Sequence, residues 1–147
     1  MTKSREEEQH QVAFVAWFRS TYPKYKDLIT IGSIGENVGP RRMHRLKQMG
    51  LTPGYPDLVL YLPKRIEHFK YVRTKPGKPL EELYSVDFKA GLFIEMKTRK
   101  GKVKPNQKEI HELLKKHHYV VEVAYDYKEA EAIVKEYIKN CSELPNS

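Results

Sequence analysis

Two short segments contain the residues best suited to chemistry. Asp57 follows Gly54-Tyr-Pro, and Glu95 and Lys97 close the stretch Gly91-Leu-Phe-Ile-Glu-Met-Lys. Alternate side chains of a β-strand share a face, so Glu95 and Lys97 would stand together while their neighbours turn toward a core. If Asp57, at the start of an earlier strand, comes alongside Glu95, two carboxylates and one ammonium converge. That combination suits a divalent metal ion held near a phosphate.

A predicted first helix, Ser4 to Ser20, contributes a further carboxylate and an amide. Glu7 and Gln11 are four residues apart and lie on the packed side of this helix. Two interpretations of Glu7 remain open. Ser4-Arg-Glu-Glu7 fits a capping box, in which Glu7 bonds back to the helix start, and the same side chain could instead border a reaction site. The adjacent acids Glu6 and Glu8 leave the register of the helix open as well.

A later helix, predicted over 105–118, places Gln107 at the N-terminal end of its packed face. Its amide could touch substrate or metal-bound water, or it could satisfy a local backbone group. The inward positions predicted for this helix are Ile110, Leu113, Leu114 and His117.

The charge balance favours a polyanionic partner. Among 147 residues, 27 Lys and Arg face 19 Asp and Glu, giving a net charge of +8 and a pI of about 9.4. Nucleic acid is the expected partner, although an anionic membrane surface would attract the same charge. Segment 97–108 contains six basic residues and no acidic one. The predicted nucleic-acid contacts are Gln11, Arg41, Arg42, Arg45, Arg99, Lys100, Lys102 and Lys104.

Several other classes of site have no support in the sequence. The glycine-rich loop around Gly32, Gly35 and Gly39 has neither the P-loop ending nor dinucleotide spacing, so no nucleotide cofactor is expected. Cys141 is the single cysteine, and no histidine pair has zinc-ligand spacing with it. The charged N-terminus does not resemble a signal peptide, and no apolar run approaches the ~18 residues of a membrane span. We expect a soluble, cytoplasmic protein with no membrane partner.

The remaining pattern alternates strands with helices in one domain, 1–147, with a frayed tail at 141–147. A basic insertion occupies about 64–89, where Phe69 and Tyr71 lie among Lys and Arg. Its first part, 64–78, is predicted to be a hairpin or mobile flap that contacts substrate or only decorates the surface, and 81–89 is predicted to return the chain to the sheet. The other predicted elements are strands 26–31, 57–62, 91–98 and 119–125, and helices 40–49 and 127–140.

The ordered set formed by Glu7 and Gln11, Gly54-Tyr-Pro-Asp57, Glu95-Met-Lys97 and Gln107 resembles the VRR-NUC (virus-type replication-repair nuclease) family. This family is a branch of the PD-(D/E)xK nuclease superfamily, and the resemblance extends from about 7 to 138. It implies an α/β fold, a restriction-endonuclease-like PD-(D/E)xK core with a mixed central β-sheet flanked by helices. Two departures stand out: Glu95 follows Asp57 by 38 positions, and the loop 35–42 matches only loosely.

The resemblance also implies the chemistry. Asp57, Glu95, the backbone carbonyl of Met96 and Glu7 would hold Mg²⁺ or Mn²⁺, and Lys97 and Gln107 would complete the catalytic group. The expected activity is metal-dependent endonuclease cleavage of DNA, structure-specific at junctions, flaps or nicks, in replication, repair or recombination. A homodimer acting on branched DNA in a bacterial or phage-infected cell is implied. The alternatives are a non-catalytic nucleic-acid-binding module on a nuclease scaffold and a sequence-specific restriction-type endonuclease.

Overall fold

The computed structural model describes residues 4–34 and 38–139. Gly35 of the glycine-rich loop, Cys141 and the predicted tail 141–147 lie outside these ranges. The helices are α1 (Arg5–Thr21), α2 (Pro40–Gln48), α3 (Pro105–Lys116) and α4 (Tyr127–Lys139), with a 3₁₀ helix at Pro23–Tyr25. The strands are β1 (Ile29–Ile31), β2 (Leu58–Leu60), β3 (Lys64–Val72), β4 (Glu81–Lys89), β5 (Gly91–Met96) and β6 (Tyr119–Ala124).

A four-stranded mixed sheet forms the centre of the fold, in the order β1-β2-β5-β6. β2 pairs antiparallel with β1 and with β5, whereas β5 and β6 are parallel. The parallel pair needs a long crossover, and α3 provides it between the two strands. The predicted mixed sheet flanked by helices is therefore confirmed.

Both faces of the sheet are covered, which explains why every residue of β5 is buried. Leu92, Ile94 and Met96 face the larger core, where α1 and α4 pack, and Phe93 faces a smaller core beneath α3. This alternation agrees with the predicted faces. The helices contribute Phe14 and Phe18 from α1, Ala130, Val134 and Tyr137 from α4, and Leu114 from α3.

The insertion forms a separate hairpin rather than part of the central sheet. β3 and β4 pair in antiparallel register from Lys64 opposite Lys89 to Val72 opposite Glu81. The prediction that 81–89 returns to the central sheet is therefore wrong. These residues find a complete partner strand immediately upstream, so the hairpin closes on itself between β2 and β5.

Among the helices within 4–34 and 38–139, none is both long enough and apolar enough to cross a membrane.

Candidate active site at the end of β2 and β5

Asp57 is fixed at the start of β2 by a constrained turn. Gly54 has a φ of +99°, and a β-carbon there would stand 2.8 Å from the backbone oxygen of Asn106 at the start of α3. Glycine alone suits this position, because the backbone is left-handed and the approach is close. The carboxylate Oδ2 of Asp57 accepts a hydrogen bond of 2.7 Å from the backbone N–H of Met96. Asp57 therefore lies beside the end of β5, as the sequence predicts.

Glu95 is the most buried acid of this group, with only 2% of its surface exposed. Its Oε1 accepts hydrogen bonds from Lys97 Nζ at 2.7 Å and from Gln107 Nε2 at 2.8 Å. The alternation of β5 brings Lys97 to the same face as Glu95. Gln107 is held in turn, because its Oε1 accepts a bond of 2.9 Å from the backbone N–H of Lys104. Gln107 therefore caps the start of α3 and also contacts the buried carboxylate of Glu95.

Lys97 lies in the field of three carboxylates. Burial by itself would lower the pKa of its ammonium, but the ion pair with Glu95 and the nearby charges of Glu7 and Asp57 raise that pKa above its ordinary value. Lys97 is therefore a cation at neutral pH. Three negative charges face its one positive charge, which leaves the group net negative.

Glu7 forms the predicted capping box and also contacts the segment that follows β5. Its Oε2 accepts a hydrogen bond of 3.1 Å from the N–H of Ser4, and Ser4 Oγ accepts one of 3.1 Å from the N–H of Glu7, which completes a capping box. Its Oε1 accepts a third bond, 3.1 Å long, from the N–H of Thr98 just beyond β5. Of the three consecutive acids, Glu7 is half-buried while Glu6 and Glu8 are exposed. Glu7 is thus the one that bonds to the segment carrying Lys97.

One residue of this group was missed by the sequence interpretation. His111 of α3 is only 6% exposed, and its Nε2 lies 3.9 Å from Glu95 Oε2. Burial, followed by the charges of Lys115 and Lys97, lowers the pKa of His111 below its ordinary value, so its imidazole is neutral at pH 7. The only signal available in the sequence was its position one helical turn after Gln107.

The same helix corrects two predicted inward positions. Leu113 is 48% exposed and His117 is also exposed, whereas His111 and Leu114 are buried. The buried stripe follows 107, 111 and 114, because α3 turns the Gln107 side toward Glu95. Apolar spacing alone had shifted the stripe by one position around the helix.

A cleft of about 1320 Å³ opens from Asp57, Glu95 and Lys97 toward α1, β1 and α2. Three of the residues predicted to contact nucleic acid, Gln11, Lys102 and Lys104, line this cleft. From α2 the lining residues are Met43 and Lys47, four positions apart on one helical face. The described lining does not include Arg41, Arg42, Arg45, Arg99 and Lys100.

These five basic residues lie elsewhere on the surface. Arg45 Nη1 bonds to Gln48 Oε1 at 3.4 Å, and Arg99 Nη2 pairs with Asp126 Oδ2 at 3.4 Å. Arg41, Arg42 and Lys100 are exposed. The structure therefore assembles the predicted acids, Lys97 and Gln107 at one place, and divides the predicted basic residues between the cleft and the outer surface.

The acids match a hard divalent cation in donor type and in charge. Carboxylate and backbone carbonyl oxygens are the ligands that Mg²⁺ and Mn²⁺ prefer, and the group is net negative. Within 4–34 and 38–139, no three His, Cys, Asp or Glu side chains converge closely enough to hold a metal as they stand. Asp57 and Glu95 are instead engaged by the Met96 N–H and by Lys97 and Gln107.

Comparison with known proteins decides the family. The sequence model of the VRR-NUC domain matches residues 5–126, most of the chain. This chain belongs to the VRR-NUC family. A solved structure described as a VRR_NUC domain protein superposes with a TM-score of 0.68 over 95% of this chain and 93% of that one, at 24% identity. At that identity the superposition supports the fold alone, while none of the curated proteins compared with the chain matches it.

Membership in the VRR-NUC family gives the assembled residues a context. The family consists of nucleases of the PD-(D/E)xK type, and the matched range contains Glu7, Asp57, Glu95, Lys97 and Gln107. The α/β core, with its mixed sheet between helices, is that of a PD-(D/E)xK-like nuclease. The chain is accordingly a nuclease by family.

Proposed function

We propose that this VRR-NUC protein is a DNA endonuclease that hydrolyses phosphodiester bonds with the help of Mg²⁺ or Mn²⁺. The observation that supports it best is the charge arrangement around Lys97. Its ammonium contacts Glu95 at 2.7 Å and lies in the fields of Glu7 and Asp57. A cluster of acids beside an anionic polymer would oppose simple binding, whereas hydrolysis assisted by a cation requires it.

The metal ligands in this proposal are Asp57, Glu95 and the backbone carbonyl of Met96, with Glu7 in support. When bound, the cation supplies positive charge that polarises the phosphate and acidifies a water molecule. Glu7 also holds the N–H of Thr98, which keeps the end of β5 in place next to the acids. Gln107 donates a hydrogen bond to Glu95 Oε1 and so restrains that carboxylate.

In this proposal Lys97 is a catalytic residue but does not bind the metal. Its ammonium orients the attacking water and stabilises the negative charge that develops on the phosphate. The three carboxylates that raise its pKa keep it protonated throughout the neutral range. Its burial, with 11% of the side chain exposed, limits the alternative positions that the ammonium can adopt.

The cleft favours a structure-specific substrate. Lys47, Lys102 and Lys104 can hold phosphates without reading sequence. The same cleft exposes Val12 and Ile31, which are 70% and 60% accessible. Apolar side chains gain little from phosphates but pack well against the faces of unpaired or unstacked bases. Junctions, flaps and nicks offer such bases, so we favour them over an intact restriction-type target.

The proposal is tested by incubating the protein with labelled four-way junctions, flaps, nicked duplexes and linear duplexes, each with Mg²⁺, Mn²⁺ or a chelator. Cleavage of the branched substrates that requires a metal, and that Asp57→Ala abolishes, is the expected result. Salt-sensitive binding without cleavage of any substrate would support the binding module instead. Cleavage only at one defined sequence would support the restriction-type enzyme.

A homodimer remains part of the proposal, since two copies could address two strands of a branch. Sedimentation velocity across a concentration series tests it independently of activity. A species of 17.3 kDa at every concentration would contradict the dimer while leaving the nuclease proposal intact.

A further inference from the structure

A buried imidazole next to the active site has no role in the mechanism described above. His111 is 6% exposed, and its Nε2 has no hydrogen-bond partner among the described residues. A buried polar atom without a hydrogen-bond partner destabilises the folded state, because it has lost its hydrogen bonds to water. Such an atom in a native fold therefore requires an explanation.

The surroundings of Nε2 supply one. Glu95 Oε2 lies 3.9 Å from it, while the other oxygen of the same carboxylate, Oε1, accepts a hydrogen bond of 2.8 Å from Gln107 Nε2. Gln107 and His111 are four residues apart on α3, so they lie one above the other on the same face. Gln107 and His111, on successive turns of α3, thus lie next to different oxygens of the Glu95 carboxylate.

The separation of 3.9 Å is longer than a hydrogen bond by about 1 Å. Rotation of the His111 or Glu95 side chain is the movement that would close it, because Phe93 of β5 and Leu114 of α3 share one core cluster and hold the two elements together. Histidine is suited to this position because one ring nitrogen can donate to a carboxylate without a full positive charge. Lys97 already supplies a cation at Oε1.

We propose that His111 is a positioning residue: through Nε2 it orients Glu95 Oε2 and so prepares Glu95 to bind the divalent cation. The inference rests on the proposed function, because it presupposes that Glu95 is a metal ligand. Partners that orient metal ligands from behind typically change metal affinity by about 10–100-fold when they are removed.

Two substitutions separate a polar role from a packing role. His111→Leu fills the space without a polar atom, whereas His111→Gln returns an amide N–H at nearly the same reach. Leu114→Met serves as the control, because Leu114 is buried one turn further along α3 and contributes only packing. Binding of Mn²⁺ to the DNA-free protein is followed by electron paramagnetic resonance, and folding by thermal unfolding.

His111→Leu should weaken Mn²⁺ binding about 10-fold or more, while His111→Gln and Leu114→Met stay within about 3-fold of the wild type. If the leucine variant fails to fold, His111→Asn replaces it, since its shorter amide cannot reach Glu95 and should bind Mn²⁺ equally weakly. Unchanged affinity in His111→Leu, or equal losses in the leucine and glutamine variants, would overturn the role of His111 alone. Absence of Mn²⁺ binding in the wild type would overturn the proposed function as well.

Discussion

Strands β2 and β5 have one end at the cleft, next to Asp57, and the other end at the hairpin, and the two ends differ in the contacts that their lysines make. Each end has a lysine with little solvent exposure: Lys64 is 7% exposed, and the side chain of Lys97 is 11% exposed. At one end Lys97 pairs with Glu95 at 2.7 Å, and at the other end Lys64 donates to the backbone oxygen of Tyr137 at 3.3 Å. Lys64 also lies 4.2 Å from the centre of the Tyr137 ring. The first lysine faces carboxylates and an open cleft, whereas the second joins the hairpin to α4.

The length of β5 separates the base of the hairpin from the acids of the cleft. β5 runs from Gly91, next to the hairpin, to Met96, next to Asp57, which is about 17 Å at 3.3 Å per residue. No residue of 64–89 is among the described residues that line the cleft. A positive charge near a nuclease motif in the sequence is therefore not necessarily near the active site, and the hairpin is a separate surface.

The two lysines provide the test with the largest expected effect. Lys97→Met should lower the rate of DNA cleavage by about 10²–10³-fold, as removal of a group that stabilises developing charge does. Lys64→Met should leave the rate unchanged and lower only the thermal unfolding midpoint. Both are measured on the same branched substrate, well below the unfolding temperature. Equal losses of activity in two folded variants would break the distinction between the ends.

A smaller effect should distinguish basic residues within the cleft end. Lys102 lines the cleft, while Arg99 lies on the outside and pairs with Asp126. Lys102→Gln should reduce the slope of log affinity against log salt by about 0.7–0.9, the value of one phosphate contact, and Arg99→Gln should not. The slopes are measured by fluorescence anisotropy on uncleaved DNA with Ca²⁺. A larger change for Arg99→Gln would move the DNA path to the outer surface.

The third prediction concerns a residue that lies at the cleft end but has only a structural role. Asp126 Oδ1 accepts a hydrogen bond of 2.8 Å from the N–H of Glu129 at the start of α4. That bond, with a further one from the N–H of Lys128 and the charge of Arg99, lowers the pKa of Asp126. Asp126→Ala should cost about 1 kcal/mol of unfolding free energy and leave cleavage unchanged.

The sign of its pH dependence follows from the lowered pKa. The unfolded chain takes up a proton at higher pH than the folded chain does, so the contribution of Asp126 is fully present above its ordinary value of 3.8. It is lost as the pH falls through the folded pKa. The difference between wild type and Asp126→Ala, measured by urea unfolding, should therefore shrink below pH 3.8. A constant difference down to acid pH would contradict the capping role.

The cleft end was largely predictable because its key relations are local. Alternation along β5 places Glu95 and Lys97 on one face whatever surrounds them, and the Pro-Asp turn starts β2. The phase of α3 was not predictable in this way. Ile110, Leu113 and Leu114 define a broad apolar stripe that does not fix which flank of the helix is buried. In the structure Gln107 contacts Glu95, His111 is buried and Leu113 is exposed.

Charge was the least informative local signal. On α2, the three arginines Arg41, Arg42 and Arg45 attract attention by number, yet Lys47 lines the cleft because it shares a helical face with Met43. The hairpin repeats this lesson. Its basic first strand predicts a contact with substrate. The hairpin, however, connects the ends of β2 and β5 that lie away from Asp57, and the sequence does not indicate this arrangement.

Shortening the hairpin should have the smallest effect, and it tests directly whether the two ends of the strands have separate functions. Residues 66–87 contain four basic and four acidic side chains, so replacing them with Asn-Gly changes the net charge by nothing. The base of the hairpin, including Lys64 and its contact with Tyr137, is retained. Because the removed residues line no described part of the cleft, cleavage rates and the preference for branched over linear DNA should stay within about 2-fold of the wild type.

Kinetics on junction, flap and linear substrates measure both quantities at once. A control variant with the full hairpin and Lys75→Gln distinguishes loss of one charge from loss of the structure. If shortening removes the preference for branched DNA but retains the rate on linear DNA, then the hairpin reaches the substrate beyond the cleft. The exposed aromatic residues Phe69 and Tyr71 would then be the first candidates for that contact, since they are 60% and 64% accessible.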